Sequence, residues 1–540
     1  MGGGRKNNTL RAVLLVIGFS SAVLFIGLGN TALWDRDETE YALAATEMQS
    51  RGDWLIPTLY GRPFLEKPIL TYWLLRGSYA VLGVNEFSSR LPSALFGISS
   101  CVAVYFLGAA LWGHPVGIYS ALILSTSILF VGVFHMLLTD PPLVFFSILS
   151  FIFFIYSEKR AERSGLFLAL SYVSIGFGFL SKGPIALFPM LVWLIYQTLT
   201  RRPFWPALLR SFGRQLLFLI FTLLVAAPWF GYALLAQKQA AAAFFLRDNL
   251  ARMYHPFQGH SGPALYYLPV IFFGMFPWSF FVAAWIVGEW RQIREAKIKL
   301  ESGVLLLVLW VLVIITVFSL SVTKLPHYAL PAVPPLACLL GKAWQEGMFK
   351  SRGAQKYCLL GALFLCLSVV LAAAAFYLLR PQYASPRLMA PFVILAGFLL
   401  VAIVLEPKVR SRLLFAMICS GAALCFITCF TIMFPWVDRH RVIRPIALSI
   451  KRVVPENAEI YSYGNSEPSL FFYSGRYFPT IKRISLDMIL GKPKPVYLVI
   501  QRSALEGAAV GVPYRIIEQK EGFAENGGEM TLLLITNDGT

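Results

Sequence analysis

The chain of 540 residues is 57% hydrophobic and only 14% charged, proportions that exclude an ordinary soluble globule and indicate a polytopic membrane protein. Its formal net charge of +19 is scattered over loops between apolar runs instead of gathering in one basic patch, which argues against a nucleic-acid partner. Apolar runs of roughly 20 residues, enough for a hydrocarbon core of about 30 Å, recur from Arg11 almost to Val437, and about 13 spans are expected.

The first run, near 14–29, follows Arg5 and Lys6 with no small-residue cleavage site and reads as an uncleaved span. A polar loop, 30–89, comes next and carries Trp34-Asp35-Arg36-Asp37-Glu38-Thr39-Glu40-Tyr41, then Phe64-Leu65-Glu66-Lys67-Pro68. Asp37 with Glu40 three positions on, ahead of a helix-like stretch, fits a helix N-cap with Glu40 reaching back, a role compatible with facing a cleft. Further along, Asp140 precedes Pro141-Pro142 at the start of a run, where a cap beside proline explains it equally well. Then come Ser181-Lys182-Gly183, a second polar loop (236–264) with Arg252, His255 and His260, and Lys324-Leu325-Pro326-His327-Tyr328. The seven cysteines lie in or beside apolar runs without ligand spacing and read as small core residues.

Positively charged loops are retained in the cytoplasm. With the amino terminus inside, segments 113–116, 158–163, 201–214, 290–301, 342–356 and 406–412 fall inside, and all but the first, which is too short to vote, are basic. The opposite face then collects the loop 30–89, Asp140, Lys182, the loop 236–264, the Lys324–Tyr328 segment and everything after Val437. Ionisable residues at span ends are costly unless they serve a site or reach water. Two carboxylates suit acid-base work on a hydroxyl acceptor, one taking its proton and one orienting it. Lys67, Lys182 and Lys324 suit a phosphate; singly, each also fits a side chain snorkelling to the headgroups. Glu66 and His260 are candidate ligands for a divalent metal such as zinc, although spacing alone does not establish a site.

Beyond Val437 the pattern changes. Short strands are expected at 460–463, 496–500, 514–517 and 530–535 and a basic amphipathic helix at 442–453. The expected organisation is a helical membrane domain, 1–437, and a small α/β domain, 438–540, outside the membrane.

The motifs, in order, resemble a family. Trp34-x-x-Asp37-Glu38-x-x-Tyr41, Glu66-Lys67-Pro68, Asp140-Pro141, Ser181-Lys182-Gly183, Tyr266-Tyr267-x-Pro269-Val270 with Phe276-Pro277-Trp278, and Lys324-Leu325-Pro326-x-Tyr328 look like the bacterial aminoarabinose lipid A transferases. These are GT-C glycosyltransferases distantly similar to protein O-mannosyltransferases. The resemblance implies a monomeric enzyme of the bacterial inner membrane that uses no nucleotide. It would pass a sugar, 4-amino-4-deoxy-L-arabinose in that family, from undecaprenyl phosphate to lipid A or a similar envelope lipid at the periplasmic face, with inversion. It also implies catalytic carboxylates at Asp37 and Asp140 with Glu38 beside them, and a donor-phosphate site at Lys67, Lys182, Tyr41 and Tyr328, to which the residues themselves add Lys324. A metal site at Glu66 and His260 is implied as well. The absence of any stretch resembling a soluble nucleotide-binding domain agrees with a lipid-bound donor.

The chain departs from the family at Glu40, where aminoarabinose transferases carry Arg, and at Phe64, where Tyr is common. An anion in place of a cation alters phosphate handling or the sugar pocket. A relative acting on protein hydroxyls or another polysaccharide precursor is the alternative. A transporter fits less well, having neither a two-fold repeat nor a mid-membrane charge to support it.

Overall fold

The computed structural model describes residues 2–538 apart from 202, 252–253, 256–258, 260, 297–299, 348–351, 384, 406–410, 465–466, 483–484, 509 and 525–527. The chain forms two compact units. One comprises 1–28, 64–74 and 90–433; the other comprises 29–63, 75–89 and 434–540.

The first unit is helical. Among the described residues eight helices are long and apolar enough to cross a membrane, or ten if each of two bent pairs is one span. The expected count of about 13 also takes in segments that this count merges or leaves out. The run Ala161–Thr200 holds two helices, Ser164–Lys182 and Phe188–Thr200, broken at Gly183–Leu187. Val333–Glu346 and Ala390–Leu405, at 14 and 16 residues, fall short of the roughly 20 a straight span needs.

The bent pairs lock each other. The helices His114–Leu124 and Ile128–Phe134 meet at 66°, and the segments Ala264–Gly274 and Ser279–Arg291 meet at 114°. At the two breaks the Ile128 N–H donates to the Phe276 carbonyl at 3.1 Å, and the Trp278 indole donates to Thr126 Oγ1 at 3.0 Å. Each break exposes backbone groups that lipid cannot satisfy, and the Phe276-Pro277-Trp278 motif supplies partners. All seven cysteines are free and buried.

The second unit carries a hairpin and a mixed sheet. Strands β1 (Thr58–Leu59) and β2 (Arg62–Pro63) are antiparallel across Tyr60 and Gly61. Both turn residues have positive φ, 56° and 71°, as a two-residue type I′ turn demands. The Glu47 carboxylate holds this unusual tyrosine backbone by accepting from Thr58 Oγ1 (2.6 Å), Tyr60 N–H (2.7 Å) and Gly61 N–H (3.1 Å).

The sheet comprises β3 (Glu459–Tyr463), β4 (Thr480–Ile481), β5 (Val496–Gln501), β6 (Arg515–Phe523) and β7 (Glu529–Thr536), ordered β4-β3-β5-β7-β6. β3 runs parallel to β4 and β5, while β7 is antiparallel to β5 and β6. Central β5 and β7 are buried on both faces. Tyr497, Val499, Leu532 and Leu534 meet the helices Ile443–Val453 and Pro468–Ser474, and Val496, Leu498, Ile500, Leu533 and Ile535 meet Leu486–Leu490. Four of the five strands and the amphipathic helix lie where the sequence pattern puts them. The first core also takes in Ala32 and packs against Leu43 and Tyr60, so part of the first polar loop folds with the carboxyl-terminal segment.

Candidate active site

In the first unit, helices Asp140–Lys159 and Ser164–Lys182, of 20 and 19 residues, pack together across a short connection. At 1.5 Å per residue each is about 30 Å long, so the start of one meets the end of the other. Asp140 begins the first, with prolines in its opening turn, and Lys182 ends the second. Gly183, at φ 76°, terminates the second helix where a side-chain-bearing residue would be strained. Ser181 Oγ donates to the Thr139 carbonyl at 2.6 Å and ties the two ends.

There the Lys182 ammonium donates to Asp140 Oδ1 at 2.6 Å, with side chains only 11% and 3% exposed. Two buried charges are tolerated because each compensates the other, and a carboxylate in the first turn gains from the helix dipole. The ammonium also stands 4.7 Å from the Tyr328 ring. Tyr328 lies in the 3-10 turn Pro326–Ala332, with its ring 4.9 Å from those of His327 and Phe318. Lys67, and His327 when protonated, lie close enough to favour the Asp140 carboxylate electrostatically. Lys67, Asp140, Lys182 and Tyr328 therefore share one neighbourhood, and His327 is a member that sequence reasoning did not single out.

Lys324 is differently engaged. Its ammonium donates to the carbonyls of Phe318 (2.8 Å), Ser319 (2.7 Å) and Ser321 at the end of helix Ser302–Leu320. A lysine has three donors, and these carbonyls use all three, capping the negative end of the helix. Burial pushes its pKa down. Lys324 reaches a phosphate only by leaving these partners.

Glu66 lies 3.6 Å from the Arg247 guanidinium, a neighbour that disfavours a second cation. His260 and Arg252 lie outside the described residues. Among the described residues no group of three or more His, Cys, Asp or Glu side chains is placed to hold a metal. A zinc site needs three or four ligands, so the described residues do not form one.

In the second unit, helix Asp37–Ser50 opens with Asp37, Glu38 and Glu40 in its first turn, all favourable to the positive end of the helix dipole. The expected cap is shifted by one residue: Arg36 is the N-cap and makes no side-chain cap bond, and Asp37 is the first helical residue. Asp37 is exposed, whereas Glu38 and Tyr41 are buried. Glu38 reaches back, accepting the Trp34 N–H at 2.8 Å.

The segment before this helix is clamped by residues some 400 positions later. Arg441 donates to the Leu33 carbonyl (3.0 Å) and to Asp438 (3.0 Å), and its guanidinium lies 4.5 Å from the Trp34 ring. Asp438 accepts the Ala32 N–H at 3.1 Å, and the Tyr473 hydroxyl accepts the Leu33 N–H at 2.8 Å. Asp35 accepts from the Ser469 N–H at 2.9 Å and from the Ser469 and Thr39 hydroxyls. Burial raises the Asp35 pKa in spite of these donors. Sequence reasoning missed Arg441, Asp438, Ser469 and Tyr473. The charged run 438–441 just after the last apolar run was the one visible signal, and it named no partner.

Comparisons with known proteins agree with this architecture. Residues 66–236 match the family model described as dolichyl-phosphate-mannose-protein mannosyltransferase. The undecaprenyl phosphate-alpha-4-amino-4-deoxy-L-arabinose arabinosyl transferase of Pseudomonas aeruginosa (strain UCBPP-PA14) is 34% identical over 337 residues, 61% of this chain and 59% of that protein. The match spans about three fifths of the length of this curated relative. The crystal structure of ArnT from Cupriavidus metallidurans bound to undecaprenyl phosphate shares the fold, with a TM-score of 0.81 at 20% identity, covering 98% of each chain. The archaeal oligosaccharyltransferase AglB from Archaeoglobus fulgidus is more distant, at a TM-score of 0.51 and 11% identity over 88% of this chain and 65% of its own. In motif order, sequence and fold the chain is similar to the bacterial aminoarabinose transferases, and it has the fold of a polytopic helical membrane protein.

Proposed function

We propose that the chain is a glycosyltransferase that moves a sugar from undecaprenyl phosphate to lipid A or a similar envelope lipid, with inversion. The observation that carries this reading is the buried Asp140–Lys182 pair beside Tyr328, with Lys67 contributing to the same field. A phosphate monoester leaves with growing negative charge, and ammonium groups fixed in a partly dry site stabilise that charge as it develops. Lys67 and Lys182 serve this role, with Tyr328 and Tyr41 assigned to the donor by the family resemblance.

Asp37 is the proposed base. An acceptor hydroxyl gives its proton to the Asp37 carboxylate as its oxygen bonds to the anomeric carbon, and the carbon–oxygen bond to the phosphate breaks on the opposite side. Asp140 orients Lys182, and Glu38 holds the turn that presents Asp37. The basic segments support an amino terminus in the cytoplasm, with the carboxyl-terminal unit and the chemistry at the periplasmic face of the inner membrane.

The family model matched by residues 66–236 is named for transfer to protein, which favours protein hydroxyls as the second acceptor class. Mass spectrometry of envelope lipids from cells with and without the protein tests the main reading. A pentose-amine increment on lipid A is the expected result; unchanged lipids with glycosylated envelope proteins would support the second reading. Zinc at Glu66 and His260 rests on resemblance alone, and elemental analysis of the purified protein against His260→Ala decides it.

A further inference from the structure

We propose that the first unit carries a binding site for the headgroup of an anionic phospholipid at the start of helix Phe204–Ala236, apart from the residues assigned to transfer. A cleft of about 300 Å³ opens there, lined by Arg201, Pro203, Pro206, Ala207 and Arg210. Arg201 follows directly on helix Phe188–Thr200, and Arg210 lies in the second turn of the next helix. Two prolines stiffen the wall between them, so the guanidinium groups approach a ligand from a pre-shaped frame.

The cleft keeps a net positive charge. Arg201 pairs with Glu158 at 3.0 Å, both partly exposed, and Arg214 donates to Ser164 Oγ at 2.8 Å. Arg210 makes no hydrogen bond or ion pair among the described residues. Guanidinium groups suit phosphate because their planar fork matches its oxygens.

The surroundings select a lipid over a free anion. Helix Phe204–Ala236 is 33 residues long, and most of its apolar length is not buried against the rest of the chain. Trp205, Leu209, Phe212, Leu216, Ile220 and Leu223 are exposed at helical spacing and form a continuous apolar stripe leading away from the cleft. Phe204 and Trp205, 42% and 69% exposed, suit the headgroup level where aromatic residues anchor. A phosphate in the cleft would thus have its acyl chains beside a stripe that already faces lipid. Basic pockets between membrane helices bind anionic headgroups in this way.

Native mass spectrometry of the purified full chain in detergent, titrated with phosphatidylglycerol or phosphatidylcholine, tests this. The expected result is preferential binding of phosphatidylglycerol, weakened about tenfold in Arg201→Gln/Arg210→Gln. An Arg291→Gln/Arg294→Gln control should bind as the parent does. Arg210→Gln alone, which breaks no ion pair, should show part of the loss with an unchanged unfolding midpoint. Unaltered phosphatidylglycerol binding in both cleft variants overturns the proposal, and so does an equal loss in the control, which would indicate general surface charge. Displacement of the lipid by inorganic phosphate at equal concentration would replace the lipid by a free anion and overturn it as well.

Discussion

The two units hold their candidate carboxylates in opposite ways. Asp140 is buried and fixed by a charge, its partner supplied by the far end of a neighbouring helix. Asp37 is exposed, and what is fixed is the backbone before it, through Arg441, Tyr473, Ser469 and Glu38. The difference separates function from stability. Neutralising Asp140 leaves a lysine without its counter-charge, whereas neutralising Asp37 removes a reactive group from a frame that does not depend on it.

The largest effects should show this contrast directly. Asp37→Asn should lower transfer in proteoliposomes by about 10²–10⁴-fold, the usual worth of a general base, with an unchanged unfolding midpoint. Asp140→Asn should abolish transfer and also cost about 3–5 kcal/mol of stability by stranding Lys182. Adding Lys182→Met should recover stability without recovering transfer. Near-normal transfer by either single variant removes that residue from the chemistry, and a stability loss in Asp37→Asn with none in Asp140→Asn inverts the contrast.

Next in size is the clamp. Arg441→Ala removes bonds to Leu33 and to Asp438 from a side chain only 5% exposed, leaving Asp438 partly uncompensated at a cost of about 2–4 kcal/mol. Limited proteolysis should then cut within 29–63 before it cuts the membrane helices. Equal protection in variant and parent would mean that the segment is held by its apolar contacts. Lys67→Gln should weaken the lipid-linked donor by about 10–100-fold, the loss of one hydrogen bond to a charged group, with less effect on the unfolding midpoint than Asp140→Asn. Unchanged donor affinity in a titration rejects Lys67 as a phosphate ligand.

How much of this was legible in the sequence follows from the range of each interaction. Asp140 and Lys182 are 42 positions apart, but span length and alternating topology place them at one end of a helical hairpin, so their association is readable. The strands β3, β5, β6 and β7 announce themselves by β-branched and aromatic runs. Trp34 and Arg441 give no comparable signal, because a cation over a ring is a contact between distant segments with no period in sequence. For the same reason the loop 30–89 looked like a single polar insertion, although residues 29–63 and 75–89 fold with 434–540 and 64–74 with the helices. Lys324 looked like a phosphate ligand because a lysine near a span end reads the same whether it faces substrate or caps its own helix.

The smallest effect separates the units by pH. The half-buried Asp35 carboxyl has a raised pKa, chiefly from burial, with donors from Ser469 and Thr39 and the nearby Arg441 acting against the rise. Glu467 is raised too, by burial and then by Asp35, while Arg36 opposes it. A carboxyl that is protonated more readily in the folded chain takes up a proton on folding, so stability falls as pH rises through the window between the unfolded and folded pKa values. The second unit should therefore gain stability as pH drops from neutral towards about 4, the ordinary carboxyl value. Asp35→Asn keeps an acceptor for the Ser469 N–H and should flatten this dependence without shifting the response of the membrane helices. Hydrogen exchange in the helix Pro468–Ser474 at several pH values is the measurement. A pH response that survives the substitution undiminished would assign it to Glu467 and remove Asp35 as its main source.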